Sequence, residues 1–261
     1  MRLWRARTNF GIDEDTSKYL FLVCFLEFEV RSEFDPRAGE LQHTRRTAGP
    51  ESSSPMANFY ERRILPALLT CACSSPPMMK QRAKVVPLAT GRVLELGIGM
   101  GLNLELYDPG AVESVTGVDP APELRARAET APRDPRLKVV VVDGTAEALP
   151  FEGGDFDTVV CTFTLCSVHN PAKALSEARR VLKPGGRLLY CEHGLAPDDE
   201  VAKWQRRVEP IWKRLAGGCH LSRPIATSIA AAGFRMAQVG SMYLPGTPRI
   251  AGWNEWGEAT A

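Results

Sequence analysis

No sign of charge dominates this chain. Its 32 Lys and Arg stand against 31 Asp and Glu, so no global basic field points to nucleic acid as the main partner. Long hydrophobic runs are missing too. The longest apolar stretch near the N-terminus, residues 19–26, is far short of the ~20 residues that span a bilayer. Arg2, Arg5 and Arg7 precede it in the manner of a signal peptide, but Asp13, Glu14 and Asp15 intervene and no small-x-small cleavage site follows. The seven cysteines include no Cys-x-x-Cys pair, which removes the zinc-ribbon and thioredoxin-type readings. No metal is expected, and a reducing cytoplasm suits the odd, scattered thiols. Neither an internal repeat nor a Gly-Lys-Ser/Thr phosphate loop is present.

What remains is an ordinary globular composition, 44% apolar and 24% charged, sized for one domain plus extras. Residues 31–57 are rich in Arg, Glu, Ser, Pro and Gly and read as a disordered linker. Residues 1–55 are therefore expected to be an N-terminal extension, detachable from a domain over 56–261 that begins near Met56. Within it, 56–90 reads as a cap or lid: an amphipathic helix over 58–69, then a loop at 76–79 with Met78 and Met79 at an exposed apolar tip.

The densest signal is residues 91–104, GRVLELGIGMGLNL. Val93, Leu94 and Leu96 read as a buried strand that ends in an acid, Glu95, and meets glycines at alternate positions, Gly97, Gly99 and Gly101. Such a turn lets backbone approach a ligand closely, and a helix is expected to follow with its unpaired N–H groups facing the same place. Further strands are expected at 115–118, 138–142, 157–162 and 188–191. Helices are expected at 123–129 and from Asn170-Pro171, which is Asn at the N-cap and Pro at the first turn. Alternating strands and helices mean right-handed crossovers and a parallel sheet. The chain should close with a helix near 224–232 and strands near 236–244 and 250–256.

The glycine spacing departs from the dinucleotide fingerprint, because the sixth position is Leu102. Glu95 is badly placed to meet a pyrophosphate and well placed to meet an ammonium group. Asp119, closing the next strand, can accept from two ribose hydroxyls, and Asp143, closing the third, can accept from an adenine amino group. Acid, glycines, acid, acid at successive strand ends describe S-adenosylmethionine.

The pattern resembles the class I S-adenosylmethionine-dependent methyltransferase family (methyltransferase type 11 domain) over roughly 93–233. The motifs are Glu95-x-Gly97-x-Gly99-x-Gly101, Val118-Asp119, Asp143-Gly144, Asp155-Phe156-Asp157-x-Val159 and Leu182-Lys183-Pro184-Gly185-Gly186. The resemblance implies an α/β, Rossmann-like doubly wound sheet. Its seven strands are mostly parallel, the last antiparallel, with helices on both faces. It also implies cofactor contacts from Glu95, Leu96, Gly97, Gly99, Gly101, Asn103, Asp119, Pro120, Asp143, Gly144, Thr145, Cys161 and Thr162, and S-adenosylhomocysteine as product. A narrower set resembles the methyltransferase-like protein 7 group of alkyl-thiol S-methyltransferases. It comprises Cys161-Thr162-x-x-Leu165-Cys166-Ser167-Val168, Glu192-His193, Trp204, Pro210-x-Trp212 and Gly218-Cys219-x-Leu221-x-Arg223. That group is membrane-associated through an apolar N-terminus. The anchor is not carried over to this chain, though peripheral membrane contact stays open.

No Asn/Asp-Pro-Pro-Tyr/Phe motif, Pro-Cys pair or Mg²⁺-binding carboxylate pair appears at the fourth strand. The expected acceptor is therefore a small, fairly apolar molecule, with a thiol suggested by the narrower resemblance. Quinone or phospholipid methylation is the alternative, since the core motifs also resemble ubiquinone-pathway enzymes. A non-catalytic S-adenosylmethionine-binding regulator and a nicotinamide oxidoreductase are alternatives of other classes. His193, Glu192 and His169 are the candidate bases, His193 foremost. Val201, Trp204, Val208, Ile211, Trp212 and Leu215 form a stripe, interrupted by Pro210, that either packs in the core or lids the acceptor pocket with Met78 and Met79.

Overall fold

The computed structural model of the protein describes residues 73–261. The extension, the linker, the 19–26 run and the expected helix over 58–69 lie outside the described residues. Helix α1 (Pro76–Arg82) leads through a 3-10 turn (Val86–Leu88) into β1 (Gly91–Leu96) and β2 (Val112–Asp119). Then come α2 (Pro122–Thr130), β3 (Val139–Asp143), β4 (Phe156–Thr162), α3 (Pro171–Val181) and β5 (Leu182–His193). The chain closes with α4 (Asp199–Leu215), α5 (Ile225–Ala231), β6 (Arg235–Tyr243), α6 (Arg249–Gly252) and β7 (Trp253–Thr260).

The strands form one sheet in the order β3-β2-β1-β4-β5-β7-β6. β1 pairs in parallel with both β2 and β4, whereas β7 runs antiparallel to both β5 and β6. The period-2 rule sorts the core into two layers. Leu94, Leu96, Val159, Cys161, Leu188 and Tyr190 face one way, toward Ala174, Leu175 and Ala178 of α3 and Ile225 and Ile229 of α5. Val93, Val115, Val160, Leu189 and Cys191 face the other, toward Val85, Val86, Leu104, Tyr107 and Ala128. Strand order reverses between β1 and β4, and in such sheets ligands bind at the strands' C-terminal ends beside that switch. α3 starts as its sequence dictates: the Asn170 side chain accepts from the Lys173 N–H at 3.0 Å, with Pro171 in the first turn.

Four expectations need correction. Residues 76–79 are not a loop but the start of α1, because proline at the first helical positions is already set to helical φ and has no N–H to waste. Met78 and Met79 are half-buried there. After the glycines the chain makes consecutive turns through residues 99–106 in place of a helix. Gly99 and Gly101 both hold positive φ (+56° and +81°), which a right-handed helix cannot accommodate. The strand expected at 250–256 is a helical turn, α6, that gives way to β7 at Trp253. Finally, half of the α4 stripe is not core: Trp204, Ile211 and Leu215 are each more than half exposed, while Val201, Val208 and Trp212 are partly buried. The helix also runs through Pro210, which sits on the solvent side with Arg206 exposed, so the carbonyl it deprives of a partner can face water.

Candidate functional site

Glu95 is 2% exposed at the end of β1 and is the hub of a polar network. Its carboxylate accepts from Asn103 Nδ2 at 2.9 Å and from the Tyr107 hydroxyl at 2.7 Å. Asn103 also donates to Thr162 Oγ1 at 2.9 Å and accepts from Arg82 Nη1 at 3.1 Å. The same Arg82 nitrogen donates to Thr162 Oγ1 at 2.6 Å, and the guanidinium lies over the Phe163 ring. Burial pushes Glu95 up to about 7, against the pull of Tyr107, Arg82 and Asn103. Arg82 is 6% exposed, and its Nε has no partner among the described residues. A buried cation beside a buried acid, with one donor unspent, suits a ligand carrying both signs of charge.

The glycines divide the work. Gly97 (φ +65°) lies so close to the loop after β4 that a Cβ there would sit 2.5 Å from Thr164 Oγ1. Thr164 in turn donates to the Leu96 carbonyl at 3.0 Å. Around Gly99 the opposite holds: a Cβ would meet only the Gly97 carbonyl, at 3.9 Å, so its backbone borders open space. Gly101 packs on Ala131. The Gly99 N–H donates to Asp119 Oδ2 at 3.0 Å, and the Ala121 N–H to Oδ1 at 2.9 Å. Asp119 is 6% exposed and burial raises its pKa. Each of its oxygens keeps a lone pair for a further donor. Asp143 stands in register with Asp119, but its side chain is 74% exposed and pairs with Arg125 at 2.5 Å. Pro120 and Thr145 are exposed, and Gly144 packs near Val118.

On the other side of the switch, β4 ends in Cys161 and Thr162, both buried. Phe163 follows with φ +54°, a strained value for an aromatic residue. Glu192 lies fully buried under this loop. Its carboxylate accepts from the N–H groups of Thr164 (2.7 Å), Leu165 (3.0 Å) and Cys166 (3.3 Å), and from the Cys161 thiol. Burial, reinforced by Cys166, pushes it up to about 8. His193 is half-buried next to it, its Nε2 at 2.7 Å from Cys219 Sγ. Burial alone would lower the imidazole, but Cys166 and Glu192 beside it carry the net shift upward. His169 stands apart, exposed in the turn before α3. His220 pairs with Glu209 at 3.0 Å.

Met79 lines a cleft of about 310 Å³ with Met100, Leu102, Glu105, Arg127 and Pro132, on the α2 side of the glycine turn. No α4 residue lines it, so Met79 and the α4 stripe do not share that pocket. Sequence reasoning missed Arg82, Tyr107 and Thr164. Arg82 sits in a run of Lys, Gln and Arg that reads as solvated surface, and only the fold turns it inward.

Residues 94–190 match the protein-family model described as a methyltransferase domain. The chain is 39% identical over 171 residues to thiol S-methyltransferase TMT1B of Rattus norvegicus, covering 61% of this chain and 68% of that protein. It is 38% identical over 105 residues to phosphatidylethanolamine N-methyltransferase of Cereibacter sphaeroides, covering 40% and 51%. Among solved structures, an S-adenosylmethionine dependent methyltransferase from Mesorhizobium loti shares the fold. Its TM-score is 0.53 at 17% identity, over 72% of this chain and 98% of that one.

Proposed function

Since this chain belongs to the class I S-adenosylmethionine-dependent methyltransferases, close to the thiol S-methyltransferase TMT1 group, we propose that its acceptor is a small, fairly apolar thiol. When bound, the cofactor supplies a methyl group on a sulfonium and leaves as S-adenosylhomocysteine. Its amino-acid tail is a zwitterion, and the β1 end offers a buried charge for each half: Glu95 for the ammonium and Arg82, through its unspent Nε, for the carboxylate. Asp119 holds the ribose hydroxyls with charge-assisted bonds worth ~1.5–3 kcal/mol each. The open backbone at Gly99 leaves room beside them. Asp143, with Gly144 and Thr145, forms the adenine edge.

Methyl transfer is an in-line displacement, so alignment does most of the work, up to ~7–11 kcal/mol in favourable cases. Here the aligning device is the loop after β4. Glu192 fixes it by gathering three successive backbone N–H groups, and Thr164 ties it to the glycine turn. Glu192 thus acts as a positioning residue, while His193, half-buried at the end of β5, is the side chain that assists ionisation of the acceptor. A thiol needs little help, since its reference pKa is ~8.5. Among the described residues Cys73, Cys161, Cys166, Cys191 and Cys219 are free thiols, which suits a reducing compartment such as the cytoplasm.

The observation that carries the thiol reading is the 39% identity to a thiol S-methyltransferase over 68% of that protein. A phospholipid acceptor is the second reading, favoured by the shorter match to a phosphatidylethanolamine N-methyltransferase. Labelled S-adenosylmethionine incubated with alkyl thiols, reduced quinones and phosphatidylethanolamine vesicles separates them. Methyl thioether formation is expected. Label in lipid or quinol with none in thiol overturns the reading.

A further inference from the structure

Three metal-ligating side chains meet beside the loop after β4. Cys166 Sγ, His193 Nε2 or Nδ1 and Cys219 Sγ all lie within 4.8 Å of one another. They come from three separate places: the loop after β4, the C-terminal end of β5 and the loop after α4. From these positions we infer that Cys166, His193 and Cys219 form a zinc site with an open fourth position, and that this position takes the sulfur of the acceptor thiol. The second part rests on the thiol reading above; the first does not.

Donor chemistry, geometry and surroundings favour Zn²⁺. Two thiolates and an imidazole are the set that borderline-soft zinc prefers, and three protein ligands with one open position is the arrangement of catalytic zinc. Two thiolates cancel the ion's charge, which keeps the cost of burial low. Tetrahedral bonds of ~2.3 Å to sulfur and ~2.0–2.1 Å to nitrogen hold ligand atoms about 3.5–3.8 Å apart. The His193–Cys219 pair, at 2.7 Å, has to open by about 1 Å to admit the ion, within reach of small side-chain rotations. Both sulfurs already have outer partners of the kind that orient metal ligands: the Trp212 indole N–H on Cys219 at 3.5 Å and the Ser167 hydroxyl on Cys166 at 3.4 Å. The backbone ties the two cysteine loops together, His220 N–H donating to the Cys166 carbonyl at 2.8 Å.

A second observation points to a ligand here. Asn254, the antiparallel partner of His193 on β7, is fully buried, yet neither its amide nitrogen nor its oxygen has a partner among the described residues. Cross-strand partners share a face of the sheet, so an unspent donor and acceptor stand beside the imidazole. The cofactor side is adjacent as well. The loop bearing Cys166 is the one that Thr164 fastens to the glycine turn, two residues earlier.

The chemistry balances. Cys166 and Cys219 each give up a proton to water as zinc binds. The acceptor thiol displaces the fourth, water ligand and releases its own proton to solvent. Its sulfur then attacks the methyl carbon, and the departing C–S pair neutralises the sulfonium to give S-adenosylhomocysteine. The thioether product carries no charge and binds zinc weakly, so water returns.

The test uses the full chain, Zn²⁺ and Co²⁺. About one zinc per chain is expected by elemental analysis. After chelation, one Co²⁺ should bind with tetrahedral visible bands and a thiolate charge-transfer band, both shifting when an alkyl thiol is added. Cys219→Ser should weaken Zn²⁺ binding at least about tenfold while still binding S-adenosylhomocysteine, which reports on the fold. Failure to bind either metal overturns the proposal, as does isolation of a Cys166–Cys219 disulfide in place of a metal. A fully active metal-free enzyme on thiols would overturn the acceptor role of the open position and leave the thiol reading standing. A zinc site whose cobalt spectrum ignores thiols would overturn the open position.

Discussion

Replacing Glu95 with glutamine tests the buried network directly. The carboxyl is completely enclosed, and burial lifts its pKa from 4.5 in the unfolded chain to about 7 in the folded one. The folded protein therefore holds a proton that the unfolded chain releases above pH 4.5. This residue's contribution to stability is complete below about pH 4.5 and is lost as pH climbs to about 7, where the native carboxyl also ionises. A rise of that size corresponds to roughly 3 kcal/mol at pH 8. Glutamine matches the protonated carboxyl in shape and cannot ionise. Denaturant unfolding of wild type and Glu95→Gln without cofactor should coincide near pH 4, below the unfolded-state pKa. At pH 8 the variant should be the more stable by roughly 2–3 kcal/mol.

Cofactor binding runs the other way. An ammonium group facing Glu95 favours the carboxylate, so S-adenosylhomocysteine should bind more tightly as pH rises from 6 toward 7.5, with a proton released per binding event. Above that range the ligand's own amine, with a pKa near ~7.7–8.0, begins to lose its charge. Titration calorimetry in two buffers of different ionisation enthalpy reads this proton. Glu95→Gln should bind at least about tenfold more weakly and release none. Parallel stability curves for the two proteins, or an unchanged affinity, would refute the assignment of Glu95 as a desolvated acid kept for the ligand.

Asp119→Ala should weaken S-adenosylhomocysteine binding by about tenfold or more, since it loses ribose bonds and frees the Gly99 N–H; unchanged affinity by calorimetry would remove the ribose role. Arg82→Met should weaken S-adenosylhomocysteine at least about tenfold yet leave methylthioadenosine, which lacks the amino-acid tail, bound as before; equal losses for both ligands would mean that Arg82 serves only the fold. Gly97→Ala places a methyl 2.5 Å from the Thr164 hydroxyl at φ +65°, for which we expect a cost of ~1–3 kcal/mol in thermal unfolding, partly relieved by Thr164→Gly. His193→Ala should lower turnover on the true acceptor while S-adenosylhomocysteine affinity holds; equal turnover would end its role.

Legibility followed the reach of each signal. The sheet, its strand ends and α3 were readable because period-2 apolar runs, strand-closing acids and an Asn-Pro cap are local patterns that burial enforces. Residues 99–106 misled because glycines before a strand–helix turn imply a helix, whereas Gly99 and Gly101 take positive φ and Asn103 turns inward to Glu95 and Thr162. The α4 stripe misled for another reason. Helical spacing of Trp204, Ile211 and Leu215 marks one face of a helix but says nothing about whether that face is covered. Arg82 was invisible because an arginine between Gln81 and Ala83 carries no burial signal of its own.

The two halves of the cleft are encoded differently, and this bears on how acceptor choice is set. Most of the proposed cofactor contacts stand at the ends of β1, β2, β3 and β4, where register fixes them: Asp119 opposite Asp143, Leu96 opposite both Val118 and Cys161. Apart from His193 at the end of β5, the proposed acceptor side hangs on loops, and the span from Cys166 to Cys219 closes through long-range contacts such as His220 N–H to the Cys166 carbonyl and Arg223 to the Leu165 carbonyl. Changes beyond Thr164, which ties the first of those loops to the glycine turn, leave the strand register untouched. A scaffold built this way can exchange one methyl acceptor for another without rebuilding the donor site, which is why its cofactor is legible from short motifs and its acceptor is not.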